Sequence, residues 1–249
     1  MQSAKKVFKS TDKSAATNAL VVMLKVPVAG KVKTRLTPPL KKEDAARLYK
    51  CFIQDIFSRI NTLNGIDIIA AYTPKNAAER IKRIVPANTM LIPQKGNDLG
   101  ERLQNIFSQL FSIGYKKAAI IGTDSPDLPV EYIKKSFSSL NKNTSIVIGP
   151  SRDGGYYLIA MSNPLSPPFS KGGMGGFASE IFEDIPWSTN TVFKKTLEKT
   201  KKAGLLPALL PEWYDVDETD DLKTLKENMR LHYPAAKTSK FLEKIGHLF

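Results

Sequence analysis

Residues 118–129 read AAIIGTDSPDLP, and the interpretation of the whole chain starts from this stretch. The apolar run 118–121 predicts a short buried strand, and Pro129 suits the first position of a following helix. Asp124 and Asp127 lie in the turn between the two. In open parallel sheets, ligands bind beyond the carboxyl ends of the strands, where loops carry polar groups into a shared crevice. We therefore expect this turn to be a centre for metal and phosphate binding.

Strands and helices alternate on both sides of this stretch. Short apolar runs predict further strands at 19–25, 66–72, 90–93, 145–149, 154–161 and 205–210. Amphipathic patterns predict helices at 42–61, 76–84, 98–113, 130–140, 191–203 and 219–231. This alternation is typical of an α/β fold with a mostly parallel sheet and helices on both faces. The strand at 154–161 has no long helix before it, so we expect a mixed sheet.

The domain organisation follows from the same patterns. We expect a single domain over 19–231, with a frayed polar tail at 1–18 and a tail or short helix at 232–249. Residues 163–177, NPLSPPFSKGGMGGF, are dense in proline, glycine and serine and cannot bury much apolar surface. They predict an inserted flexible loop.

Composition narrows the classes of function. The 249 residues carry a net charge of +13, which indicates a nucleic-acid partner, an anionic small substrate or simply a lysine-rich solvated surface. No nucleic-acid-binding motif is present, so we expect no nucleic-acid partner. No apolar run is long enough to span a bilayer, and one cysteine excludes an internal disulfide framework. The cytoplasm is the expected compartment, and the oligomeric state stays open.

The loop after the first strand, VPVAGKVKTRL at 26–36, is basic. Gly30 allows close approach of the backbone, and Lys31, Lys33 and Arg35 place three cations within five residues. Lysine is a mobile point charge and arginine a planar fork, and together they suit a diphosphate or triphosphate. The spacing differs from that of a Walker P-loop, because Val32 follows the lysine where serine or threonine is needed. The alternative is a solvated basic loop.

A second polar segment, PQKGNDLGERL at 93–103, precedes a predicted helix. We assign Gln94, Asp98 and Arg102 to the nucleotide: Gln94, with Asn97, would meet a base edge or sugar hydroxyls, and Arg102 a phosphate. The alternative is that Asn97 or Asp98 caps the helix.

Acidic residues supply the candidate metal ligands. Asp124 and Asp127 are hard oxygen donors, and Mg²⁺ or Mn²⁺ typically takes one or two protein carboxylates together with phosphate oxygens. Asp127 also suits a turn or cap ahead of the helix. Asp215 and Asp217 have a D-x-D spacing that puts both side chains on one face of an extended segment. Either residue could complete the metal site, and the alternative is that they are acids at a helix start.

Candidate acid–base residues follow the later strands. Asp153 lies in SRDGGYY at 151–157 and is a candidate for contact with sugar hydroxyls, although an Asp-Gly hairpin turn would explain the same residues. We expect Asp153 or Asp217 to orient the acceptor or to act as the base. His232 and His247 lie far along the chain from every motif, which argues against Ser-His-Asp or Cys-His catalysis.

Taken in order, these motifs resemble one family along residues 20–225. They read PVAGKVKTRL, GNDLGERL, GTDSPDLP, GPSRDGGYYLIAM, FEDIPWSTNTVFKKTL and DVDETDDL. The chain is similar to the bacterial GT-A-type glycosyltransferase family that was formerly a domain of unknown function and is often associated with radical-SAM proteins. It is more distantly similar to the molybdenum-cofactor and phospholactate guanylyltransferases, which share the nucleotide-diphospho-sugar transferase fold. The insert at 163–177 departs from the family pattern.

The resemblance implies a Rossmann-like GT-A sheet that binds a nucleotide. It also implies a divalent metal held partly by Asp124 and phosphate contacts from Lys33 and Arg35. We therefore expect a metal-dependent glycosyltransferase that uses a nucleotide-diphospho-sugar donor and an unknown acceptor, with Mg²⁺ or Mn²⁺ as cofactor. The alternative is a nucleotidyltransferase that releases pyrophosphate from a nucleoside triphosphate.

Overall fold

The computed structural model describes residues 17–163, 179–234 and 236–248. The expected polar tail, apart from its last two residues, and the expected inserted loop, apart from Asn163, lie outside these ranges.

Within the described ranges, seven strands form one sheet in the order β3-β2-β1-β4-β6-β5-β7. Their bounds are β1 (Asn18–Lys25), β2 (Ile66–Thr73), β3 (Met90–Pro93), β4 (Lys117–Ile121), β5 (Ile146–Pro150), β6 (Tyr156–Ser162) and β7 (Pro207–Leu209). Strand β6 runs antiparallel to both its neighbours and the other pairings are parallel, so the expected mixed sheet is confirmed. The chain leaves β1 toward β2 on one side and later enters β4 on the other. The crevice between the carboxyl ends of β1 and β4 is therefore the switch point at which such sheets bind ligands.

Helices cover both faces of the sheet, as the alternation predicts. They are α1 (Lys42–Ile60), α2 (Ala78–Lys82), α3 (Leu99–Ser112), α4 (Val130–Ser139), α5 (Val192–Lys202), α6 (Thr219–His232) and α7 (Lys237–Ile245). One apolar cluster packs the sheet against α1, α4, α6 and α7, and a second packs the other face against α3. Successive residues of β1 point into different clusters, because side chains alternate along a strand.

The observed bounds differ from the predicted ones mainly in short elements. Helix α2 is shorter than the predicted 76–84, because a 3₁₀ turn at Lys75–Ala77 takes its first residues. Strand β7 is shorter than the predicted 205–210. The C-terminal segment contains α7, which packs on α1 and buries Leu242 completely.

Asp55 fastens α7 to α1. Its buried carboxylate accepts hydrogen bonds from the backbone N–H groups of Lys237, at 3.0 Å, and Thr238, at 2.7 Å. These are donors of the first turn of α7, which have no partner within the helix. A carboxylate on another helix therefore caps α7 and fixes its position.

Replacing Asp55 with alanine is expected to lower the free energy of unfolding by about 1–2 kcal/mol, because two buried donors lose their acceptor. Urea unfolding followed by circular dichroism measures this. The matched control is Glu79→Ala, which removes an exposed pair with Lys82 and is expected to leave the urea midpoint close to that of the wild type. Equal midpoints for Asp55→Ala and the wild type would show that α7 does not depend on this cap.

Candidate functional site

The loop after β1 turns Lys33 inward. Lys33 adopts a left-handed conformation, with φ of 48°, immediately before a 3₁₀ turn at Thr34–Leu36. Val32 and Leu36 on either side are buried in the core, which anchors the loop. As a result the Lys33 side chain is only 4% exposed, although it belongs to a strongly basic loop.

Three segments that are distant in sequence meet at the Lys33 ammonium. Its Nζ forms an ion pair with Oδ1 of Asp124, which follows β4. It also lies 3.0 Å from Oδ1 of Asp217 and donates to the carbonyl oxygen of Val216 at 2.6 Å, in the segment before α6. The structure thus brings Lys33, Asp124 and Asp217 together at the switch point between β1 and β4.

The electrostatics of this cluster keep Lys33 charged. Burial by itself would lower the pKa of Lys33, but the carboxylates of Asp124 and Asp217 outweigh burial and raise its pKa above the ordinary value. The side chains of Asp124 and Asp217 are 48% and 46% exposed, so their outer sides face solvent.

The other basic residues of the loop face outward. Arg35 is 72% exposed and its Nη1 lies 3.7 Å from Oδ2 of Asp217. Lys31 is exposed too, and Gly30 turns the loop with a φ of 71°. Arg35 therefore lies beside the cluster, where a solvent-facing anion can reach it.

The acidic turn is braced by residues that the sequence patterns did not single out. From α1, Arg59 donates to the carbonyl oxygens of Pro126, at 2.7 Å, and Leu128, at 2.6 Å. The hydroxyl of Tyr49, also on α1, lies 2.7 Å from Oγ1 of Thr123. Burial and the negative charge of Asp124 raise the pKa of Tyr49 to about 12, so it stays a neutral hydrogen-bonding group. The available signal for Arg59 was an arginine between buried apolar residues of α1, Phe57 and Ile60.

Asp127 points away from the Lys33 cluster. It is 3% exposed and accepts hydrogen bonds from the Tyr214 hydroxyl, from Nε1 of Trp213 at 3.4 Å and from Nδ2 of Asn228 at 3.2 Å. The structure thus gives Asp127 a bracing role in the turn, which agrees with the alternative interpretation. Its assignment to a metal stays a prediction.

Asp215 and Asp124 both line a pocket of about 60 Å³, together with Ser125 and Tyr157. Its carboxylate accepts hydrogen bonds from the hydroxyls of Ser125 and Ser151, both at 2.7 Å. Burial raises the pKa of Asp215 to about 6, against the effect of these two hydrogen bonds. The D-x-D pair is therefore divided: Asp217 pairs with Lys33, and Asp215 is hydrogen-bonded to two serines.

Asp153 lies at the exposed turn between β5 and β6. Its Oδ1 accepts a hydrogen bond from the backbone N–H of Gly155 at 2.9 Å, the Asp-Gly turn of the alternative interpretation. The next residue, Gly154, has a φ of 86°, and a Cβ there would lie 2.0 Å from the carbonyl oxygen of Asn190. The segment before α5 therefore packs directly on the turn that carries Asp153.

The residues predicted from the segment at 93–103 make local contacts. Gln94 donates from Nε2 to the carbonyl oxygens of Leu24, at 3.3 Å, and Ala71, at 2.7 Å, across the carboxyl ends of β1 and β2. Asp98 accepts from the backbone N–H of Glu101 at 2.8 Å and caps α3. Arg102 donates from Nε to the carbonyl oxygen of Gly96 at 3.1 Å. Capping thus accounts for Asp98, and the nucleotide contacts stay predictions.

Neither a ready-made cluster of metal ligands nor a membrane-spanning helix is found in the described residues. Among the described residues, no group of three or more histidine, cysteine, aspartate or glutamate side chains is arranged to hold a metal ion. In the same part of the chain, no helix has both the length and the apolar character to cross a membrane.

Comparison with known proteins places the chain in a family. The sequence profile described as "Uncharacterized protein conserved in bacteria (DUF2064)" matches residues 56–189, just over half of the chain. The chain belongs to this family. The matched part of this DUF2064 protein runs from α1 to the segment before α5 and includes the acidic turn and Asp153.

Relatives agree with the expected fold. A structure from Desulfovibrio desulfuricans, described as a candidate nucleotide-diphospho-sugar transferase, is 31% identical, with 94% of this chain and 96% of that chain covered and a TM-score of 0.84. The 2-phospho-L-lactate guanylyltransferase of Methanocaldococcus jannaschii is 29% identical over 143 residues. That alignment spans 57% of this DUF2064 protein and 59% of the enzyme. Both relatives are described as transferases, as expected for this chain.

A more distant structure is similar in fold alone. The 4-diphosphocytidyl-2C-methyl-D-erythritol synthase of Anaerococcus prevotii is 11% identical, with 86% of this chain and 96% of that chain covered and a TM-score of 0.53. The expected family and the Rossmann-like nucleotide-diphospho-sugar transferase fold are confirmed.

Proposed function

We propose that this DUF2064 protein is a metal-dependent glycosyltransferase that uses a nucleotide-diphospho-sugar donor. The observation that carries the proposal is the meeting of Lys33, Asp124 and Asp217 at the switch point of the sheet. This cluster combines a buried ammonium with two half-exposed carboxylates, and Arg35 lies beside it. Such a mixture of charges suits a diphosphate bridged by a divalent ion.

Asp124 and Asp217 fit Mg²⁺ or Mn²⁺. They are carboxylates that face solvent on one side and already share a cation, the Lys33 ammonium. Two protein carboxylates plus phosphate oxygens are a common set of ligands for these ions. Asp127 belongs to the Tyr214 network, so the proposed site depends on Asp124 and Asp217. When bound, the ion would offset the negative charge of the departing nucleoside diphosphate.

The chain's own residues would bind and orient the reactants. Lys33 and Arg35 would bind the phosphates of the donor, one from the floor of the site and one from its rim. Asp153 is the better of the two candidates for the acceptor hydroxyl, because Asp217 already contacts Lys33 and Arg35. Asp153 is exposed and lies beside the segment that packs on Gly154.

The relative that aligns with most of the chain supports a sugar donor. The relative described as a candidate nucleotide-diphospho-sugar transferase aligns with 94% of the chain, and the guanylyltransferase with 57%. The guanylyltransferase nevertheless supports a second candidate function, nucleotidyl transfer from a nucleoside triphosphate. In that reaction the same cations would bind the triphosphate and pyrophosphate would leave.

A donor panel distinguishes the two functions. The protein is incubated with Mg²⁺ or Mn²⁺ and each of several nucleotide sugars or nucleoside triphosphates, and the products are separated by anion-exchange chromatography. We expect slow release of nucleoside diphosphate from one class of nucleotide sugar in the absence of acceptor. The Asp124→Asn variant, prepared identically, controls for contaminating enzymes. Pyrophosphate release would establish the second function instead, and binding without any turnover would contradict both.

A further inference from the structure

The Lys33 ammonium has no hydrogen-bond donor to spare. A lysine ammonium carries three N–H donors. In the structure, Nζ contacts Oδ1 of Asp124, Oδ1 of Asp217 and the carbonyl oxygen of Val216. Lys33 must therefore release at least one of these partners before it can bind a phosphate oxygen of a donor.

The same two carboxylates are the proposed ligands of the divalent ion. A divalent cation bound between them would be only a few ångströms from the ammonium, and like charges at that separation repel strongly. Lys33 and the metal would thus compete for one pair of carboxylates. Each carboxylate is about half exposed, so a cation can approach from solvent without opening the core.

The side chain of Lys33 is suited to change partners. Its charge is carried by a flexible four-carbon stem, which can swing the ammonium without moving the backbone. The backbone on either side is held by buried Val32 and Leu36. On the other side of the contact, Val216 is tied to the acidic turn through its N–H, which donates to the Asp124 carbonyl at 2.8 Å. The frame of the site is therefore fixed while the lysine can move.

We infer that Lys33 is an exchangeable internal cation: it offsets part of the negative charge of Asp124 and Asp217 when no metal is bound, and a divalent ion displaces it toward the donor phosphates. This inference rests on the proposed function, because it takes the two carboxylates as the metal site. It adds that the metal and the nucleoside diphosphate bind cooperatively. When the metal displaces Lys33, the N–H donors of Lys33 become free to bind the diphosphate.

Binding of Mn²⁺ alone tests the exchange. Free Mn²⁺ is measured by electron paramagnetic resonance during titration of the wild type, Lys33→Met, Lys33→Arg and Asp124→Asn. We expect Lys33→Met to bind Mn²⁺ at least about tenfold more tightly than the wild type, because its competing charge is gone. Lys33→Arg, which keeps a positive charge, is expected to stay within about threefold of the wild type. Asp124→Asn is expected to bind Mn²⁺ most weakly.

A second measurement needs no variant. Brief acetylation of the wild type with acetic anhydride, followed by peptide mass spectrometry, reports the accessibility of each lysine, with exposed Lys31 as the internal reference. We expect acetylation of Lys33 to be low without metal and to rise several-fold with Mn²⁺. This experiment keeps the inference testable if Lys33→Met does not fold.

The outcomes separate the inference from the proposed function. If no protein binds Mn²⁺, or if Asp124→Asn binds it as the wild type does, the proposed metal site is wrong. If the wild type binds Mn²⁺ through Asp124 but Lys33→Met binds it equally or more weakly, the exchange is wrong and the metal site stands. Unchanged acetylation of Lys33 at saturating Mn²⁺ would likewise overturn the exchange.

Discussion

Replacing Asp124 with asparagine is expected to lower kcat/KM for the nucleotide-sugar donor by about 10²–10³-fold. The substitution keeps the shape of the side chain but removes the charge that the proposed metal site shares between Asp124 and Asp217. Lys33 keeps its contacts with Asp217 and Val216, so the loop after β1 should stay in place. Initial rates of nucleoside diphosphate release, measured with the donor found in the panel, give the ratio.

The control for this variant is Glu198→Gln, which likewise exchanges a carboxylate for an amide of the same shape. Glu198 forms an ion pair at 3.1 Å with Lys195 on the surface of α5. It is expected to keep kcat/KM within about twofold, because exposed pairs contribute little. Thermal unfolding of both variants checks that each is folded. If Asp124→Asn is folded and keeps more than about a third of wild-type kcat/KM, Asp124 does not hold a catalytic metal.

Replacing Asp127 with alanine is expected to lower the free energy of unfolding by about 2–4 kcal/mol. The change removes a buried acceptor from three donors, the Tyr214 hydroxyl, the Trp213 indole and the Asn228 amide. Burial and the nearby negative charge of Asp127 raise the pKa of Tyr214 above its ordinary value, so the Tyr214 hydroxyl stays protonated and donates to Asp127. Urea unfolding measures the loss.

Metal binding by the same variant distinguishes bracing from ligation. At a temperature where Asp127→Ala is folded, its Mn²⁺ affinity is expected to lie within about threefold of the wild type, since the proposed ligands are Asp124 and Asp217. Wild-type stability combined with a large loss of Mn²⁺ affinity would reverse the assignment and make Asp127 the ligand. For these two acids of one turn we thus expect different effects: substitution of Asp124 lowers kcat/KM, and substitution of Asp127 lowers the free energy of unfolding.

Most of the sheet could be predicted from sequence because its strands are buried on both faces. Strands of this kind read as continuous apolar runs, and β1 and β4 lie within a residue or two of the predicted bounds. The predicted end of β4 also gave the correct position of the acidic turn. The shorter bounds of α2 and β7 depended on local turns that apolar patterns do not record.

The roles within the site were harder to predict. Asp124 and Asp127 are three positions apart, and only the backbone of the turn decides that one faces Lys33 and the other Tyr214. Arg59 reaches a turn that lies 67 residues away along the chain, so no local motif could reveal the contact. The capping role of Asp98 was visible as an alternative, because an acid before a helix serves a cap as readily as a ligand.

Calorimetric titration of the nucleoside diphosphate product, with and without Mn²⁺, tests most directly whether one metal-bridged diphosphate binds at Lys33, Asp124 and Asp217. We expect Mn²⁺ to tighten binding of the diphosphate to the wild type by about tenfold or more, and to have little effect on binding to Asp124→Asn. Diphosphate affinity that is the same with and without Mn²⁺ in the wild type, or an equal gain in Asp124→Asn, would contradict this account of the site.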